Sequence, residues 1–270
     1  MLTAIVLSIL TAAPGTSPKQ GDAPSILMNP DTLISAPSGG IDDLRDAARE
    51  VLELEGGHFA VAVKDFETGD SFIETEGGLF DMGSPELIIA SCAIDLDRAG
   101  VVSLDTLSSR GETVADQIIM AREGSQEALM RVTNRVRPQS IVSWLAQEGF
   151  SSTTYGGIQF FWPGAPAVDP NMSSPSDCMG MLSVIESRLD EAEIRRLVRN
   201  PFTRTELEEL QGGSATIYGF CSRGSEGGRL RAAVVSLPGD HRIGIVVLAD
   251  QLCCEAKADL AFRMMWEALK

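Results

Sequence analysis

Phe80-Asp81-Met82-Gly83-Ser84-Pro85-Glu86-Leu87 opens the stretch that decides the fold, because a serine-proline pair stands there directly before a helically spaced apolar run ending at Ala99. Ser84 is a natural N-cap, Pro85 suits the first helical position, where its missing N–H costs nothing, and Glu86 lies at the positive end of the helix dipole. The segment predicts a helix over 84–99.

Upstream, Ile41, Leu44, Ala48, Val51 and Leu52 recur at helical spacing and predict a helix that runs to Leu54 and stops at Gly56-Gly57. The period then changes. His58 to Asp65 is an apolar, β-branched run, and Glu67-Thr68-Gly69-Asp70 turns it back into Ser71 to Thr75, a hairpin. Downstream, helical patterns cover Val114–Arg122, Gln126–Val136, Ser140–Gln147, Pro175–Arg188, Glu191–Val198 and Thr203–Leu210. Ser151 to Ser174 interrupts them; it is rich in Gly, Pro and Ser and too long for a bland connection, which suggests a packed loop of functional type. Ala215–Cys221, Leu230–Leu237 and Ile243–Ala249 read as strands, the last two joined by Pro238-Gly239-Asp240-His241, and Glu255–Leu269 as a final helix. No two-stranded hairpin is stable alone, so the terminal strands must combine. The expected architecture is α/β of the α+β kind: one five-stranded antiparallel sheet flanked by helices, with a helical insert at about 84–212.

Residues 14–40 are dense in Pro, Ser, Gly and Asp and read as a tether, so the domain is expected over 41–270. Leu2 to Ala13, followed by Pro14, Gly15 and Pro18, has the apolar and cleavage regions of a secretory signal without its positive n-region; export and a plain unstructured tail are the two readings. Apolar runs fall short of the roughly 18 residues that suggest a membrane span, so no integral membrane domain is expected. With 22 basic against 38 acidic residues the formal net charge is −16, which disfavours nucleic acid and anionic lipid and favours neutral, zwitterionic or cationic partners. The five cysteines, Cys92, Cys178, Cys221, Cys253 and Cys254, show no metal-binding spacing, and the odd number forbids complete internal pairing. Cys253-Cys254 is either a reactive pair or two small buried hydrophobes. His58 and His241, the only histidines, sit at a strand entry and a hairpin turn, so a Ser-His-Asp triad and a metal site are both unexpected. No cofactor is expected.

The order of elements resembles the class A serine β-lactamases of the penicillin-recognising family. Residues 80–87 are similar to that family's Ser-x-x-Lys segment, with Leu104-Asp105 closing the helix-loop at the family's spacing. The resemblance covers about 41–270 and implies that Ser84 stands at the nucleophile. Its Ser-Asp-Asn motif would fall on Ser125-Gln126-Glu127, after Thr113-Val114-Ala115-Asp116 in phase, and its Lys-Thr-Gly on Ser222-Arg223-Gly224. Ser173-Ser174-Pro175 resembles the family's helix start after its loop.

The departures carry the chemistry. Leu87 occupies the lysine position, and a serine hydroxyl is a poor nucleophile until a nearby base takes its proton. Glu127 replaces the asparagine; a carboxylate there could accept a proton or bind an amine, but it would repel a penicillin's carboxylate. Arg223 replaces the second lysine and is either a fork for a substrate carboxylate or a surface cation. No glutamate lies between Glu148 and Glu186, which leaves Asp169 as the single acid before the next helix. The candidate set is therefore Ser84 and Ser125 for catalysis, with Glu127, Arg223 and Gly224 for substrate binding. Motif loss favours a non-hydrolytic pseudoenzyme holding a small molecule, peptide or protein in the former cleft; a divergent serine hydrolase acting through Ser84 is the alternative.

Overall fold

The structure, a computed structural model, describes residues 40–158, 169–199, 215–223, 228–251 and 256–269. The signal-like segment, the 203–210 helix, Gly224, Cys253 and Cys254 lie outside the described residues. Helix α1 (Ile41–Leu52) starts at Gly40, whose N–H is accepted by Asp43 Oδ2 in the first turn at 2.8 Å. Strands β1 (His58–Asp65) and β2 (Ser71–Thr75) form the expected hairpin, and Asp65 holds its turn by accepting the N–H groups of Glu67 and Thr68. A short strand β3 (Phe80–Asp81) leads into α2 (Glu86–Arg98). Helices α3 (Val114–Arg122), α4 (Gln126–Val136) and α5 (Pro138–Gln147) follow, then β4 (Met172–Ser173), α6 (Pro175–Glu186) and α7 (Ala192–Val198). Strands β5 (Thr216–Arg223), β6 (Arg229–Ser236) and β7 (Arg242–Asp250) and helix α8 (Ala256–Glu267) complete the chain.

The sheet order is β2-β1-β7-β6-β5, with every neighbouring pair antiparallel. Side chains alternate across it with the strand period of two. Phe59, Val61, Val63, Ile245 and Val247 pack with α1 and α8, whereas Ala60, Ala62, Phe220, Val246 and Leu248 pack with α2 and the helical block. Each large apolar side chain buried this way contributes about 1.5–3 kcal/mol.

Helix α2 runs through the middle of that second core and is buried continuously from Leu87 to Ile94, as expected of a helix that is apolar all round. Ser91 donates to the Met181 carbonyl at 3.2 Å, Trp144 Nε1 to Asp95 at 3.1 Å, and Arg188 to the Ile94 carbonyl at 3.1 Å, so α2 is tied to α5 and α6. Two differences from the sequence expectation bear on the site. Strands β3 and β4 pair Phe80 with Ser173 and Asp81 with Met172, a two-residue ladder too short to leave a periodic signal. Helix α2 begins at Glu86 and its cap is Pro85, not Ser84: the Pro85 carbonyl accepts the first helical bond, from Ile89 N at 2.9 Å.

Candidate functional site

Ser84 lies in the link between β3 and α2, partly exposed, after Gly83, whose φ of 73° is the left-handed conformation that favours glycine. Three elements hold this link. Ser222 on β5 donates its hydroxyl to the Met82 carbonyl. Gly228, at the head of β6, lies so close to β3 that a Cβ there would sit 2.2 Å from the Asp81 carbonyl oxygen. Asn171 supplies the third hold: its backbone carbonyl accepts from Met82 N at 2.9 Å, and its buried side chain reaches both Gly83 and the 156–157 backbone.

Leu87, the second residue of α2 and at the position where the resemblance puts a base, is fully buried at 0% exposure. Among the described residues the lysines are Lys64, whose Nζ donates to Ser183 at 3.5 Å, and Lys257 on α8. Both histidines are paired elsewhere, His58 with Asp250 at 3.1 Å and His241 with Asp65 at 2.9 Å.

What does accompany Ser84 is Glu86. Its Oε2 is buried without a hydrogen-bond partner, against an apolar wall of Ile89 and Ala90 from α2, Ile118 and Ala121 from α3, and Leu129 and Val132 from α4. That desolvation pushes the carboxyl up from its ordinary 4.5 to about 7, although the Ser84 hydroxyl, the residue's own N–H and the Arg122 guanidinium all favour the charged form. Arg122 itself is lowered to about 10 by burial and so stays charged at neutral pH. Its guanidinium donates to the Leu197 and Arg199 carbonyls and lies 5.5 Å over the Phe220 ring, bracing α3 against α7 and β5. By sequence alone Glu86 is a favourable charge at the positive end of the helix dipole. The available signal was that no other acidic or basic side chain follows it until Asp95.

The remaining candidates fall as follows. Ser125 caps α4, its Oγ accepting from Ala128 N at 3.2 Å. Glu127, 59% exposed at its side chain, is ion-paired at 2.8 Å with both Arg110 and Arg131, which leaves little charge to offer a substrate amine. Arg223 ends β5, its backbone paired with Arg229. Asp169 is exposed, and its backbone carbonyl packs on Gly156 at the mouth of the 151–173 loop. A separate concavity of about 770 Å³ lies between α4, α5 and Tyr155 to Ile158. Among the described residues no helix is long and apolar enough to cross a membrane, and no group of three or more His, Cys, Asp or Glu residues could hold a metal ion.

No family model and no curated protein matches the chain by sequence. Solved structures do match. A class A β-lactamase reconstructed as the last common ancestor of Gram-negative bacteria is similar at 18% identity and a TM-score of 0.65, covering 84% of this chain and 96% of that one. A related ancestral class A β-lactamase gives 18% identity and a TM-score of 0.66 over 83% and 96%. A β-lactamase from Chitinophaga pinensis gives 17% identity and a TM-score of 0.66 over 84% of this chain and all of its own. At these identities the likeness shows a β-lactamase-like fold, in agreement with the five-stranded antiparallel sheet and its helices.

Proposed function

We propose that this is a β-lactamase-like protein that does not hydrolyse β-lactams: an exported pseudoenzyme whose former active-site cleft beside Ser84 binds a neutral or cationic small molecule, peptide or protein. The observation that carries the reading is Leu87, fully buried where a lysine amine would have to stand. A hydrocarbon cannot take the Ser84 proton, and the carboxylate beside Ser84 disfavours an anionic penicillin or cephalosporin when ionised. The net charge of −16 points the same way. A chromogenic cephalosporin should remain intact, and intact-mass measurement after penicillin should show no adduct. A penicilloyl mass on Ser84 would overturn the reading.

A second reading, compatible with the first as far as β-lactams are concerned, is a serine hydrolase acting through Ser84 on a substrate without an anionic group. It is favoured by Ser84 itself, which is partly exposed and does not serve as the cap of α2. Uptake of an uncharged fluorophosphonate by the wild type and not by Ser84→Ala supports it, whereas equal uptake by both proteins excludes Ser84 as nucleophile.

A further inference from the structure

We infer that the concavity between α4, α5 and residues 155–158 is a second binding site, for an uncharged small molecule with an apolar body, and that its occupancy is relayed through Asn171 to the link carrying Ser84. The inference requires neither of the two readings of Ser84 given above.

The site is built where α4 gives way to α5. Arg137, with a φ of 71°, makes that corner, and residues 155–158 supply the facing wall. The space between them is about 770 Å³, within the range of about 300–1,000 Å³ typical of small-molecule sites. Pro138, Val142, Tyr155 and Ile158 give it an apolar lining, in which Val142 is 54% exposed. Gln139 and Ser143 stand four residues apart on the same face of α5, both exposed, and offer an amide and a hydroxyl to orient an occupant. Among the described residues the lining carries no charge. A cation would find no carboxylate in this wall, and an anion is disfavoured by the net charge of −16, so the occupant is neutral.

The wall opposite α5 is joined to Ser84 by one side chain. Asn171 accepts from Gly156 N and donates to the Gly157 carbonyl, each at 3.0 Å, and its Nδ2 also donates to the Gly83 carbonyl at 2.8 Å. The contact behind that wall has no slack, since a Cβ on Gly156 would sit 1.9 Å from the Asp169 carbonyl oxygen. Asn171 is itself 0% exposed, so no solvent cushions its bonds. A molecule seated against Gly156 and Gly157 therefore bears on a buried amide whose third bond holds the residue before Ser84. Such coupling is reciprocal: whatever orders the Ser84 link also favours occupancy of the concavity.

The test titrates the full chain with N-phenyl-1-naphthylamine, an uncharged aromatic whose fluorescence rises in apolar surroundings. The wild type should give a saturable rise. Ser143→Trp, which fills the concavity, and Val142→Asp, which puts a charge in its wall, should each weaken binding about 10-fold or more. Both positions are exposed, so the circular dichroism spectrum should not change. Val101→Asp, at an exposed position just after α2, should bind as the wild type does. With saturating probe, hydrogen exchange at the amides of residues 82–87 should slow about 5-fold in the wild type and not in Asn171→Leu. No rise in the wild type, or equal affinity in Ser143→Trp and Val142→Asp, overturns the site. A dimer that the probe dissociates assigns this face to a second copy of the chain and overturns it equally. Binding that leaves exchange at 82–87 unchanged overturns the relay. Should Asn171→Leu fail to fold, exchange in the wild type decides the relay alone.

Discussion

The carboxamide Nδ2 of Asn171 donates to the Gly83 carbonyl at 2.8 Å, so the end of a long loop is fastened to the residue immediately before Ser84. The same side chain accepts from Gly156 N and donates to the Gly157 carbonyl, each at 3.0 Å, which closes the neck of that loop. Asn171 is fully buried. One amide thus sets both the loop and the backbone that presents the serine.

Replacing Asn171 with Leu leaves one N–H and two carbonyls without side-chain partners, at about 1–3 kcal/mol for each group left buried and unsatisfied. Urea denaturation should therefore show a loss of at least about 2 kcal/mol. A loss below about 0.5 kcal/mol would mean that water enters and takes over the bonds.

Restoring the lysine should not restore the enzyme. Leu87 is fully buried, so Leu87→Lys places an ammonium in an apolar core and should cost more than about 2 kcal/mol. Cephalosporin turnover should stay absent, because the second lysine and the loop glutamate are also missing from the sequence. Hydrolysis by this variant would contradict the expectation.

Glu86 should make stability fall as pH rises. Its carboxyl titrates at about 7 in the folded chain against 4.5 ordinarily, so between these values the folded state holds a proton that the unfolded state has released. The contribution is complete below about 4.5 and is lost as pH rises through about 7, with a slope of at most about 1.4 kcal/mol per pH unit. Denaturation curves across this window should show the slope in wild type and lack it in Glu86→Gln. Identical slopes in both proteins would place the titration elsewhere.

The two helix-four candidates should separate by mechanism. Ser125→Ala removes the cap on Ala128 N and should cost about 1 kcal/mol. Glu127→Ala removes exposed ion pairs with Arg110 and Arg131 and should change stability by less than about 1 kcal/mol, with the difference vanishing in high salt. A larger, salt-independent effect at Glu127 would show that its carboxylate does more than balance two surface guanidinium groups.

By itself the sequence determined the order of the elements, because periods of 3.6 and two are local properties of the chain. Leu44, Ala48 and Val51 mark one face of α1, and the alternation of Phe59, Val61 and Val63 with Ala60 and Ala62 sorts β1 between two cores. It also determined that Leu87 is no base, since that follows from residue type alone. Tertiary structure decided what surrounds Ser84. The β3-β4 ladder joins residues more than ninety positions apart in the chain, and the hold of Asn171 on Gly83 spans 88; neither leaves a short-range pattern. Whether Glu86 faces water or an apolar wall depends on where α3 and α4 pack, and that packing turns an ordinary acid at a helix start into a carboxyl that titrates at about 7.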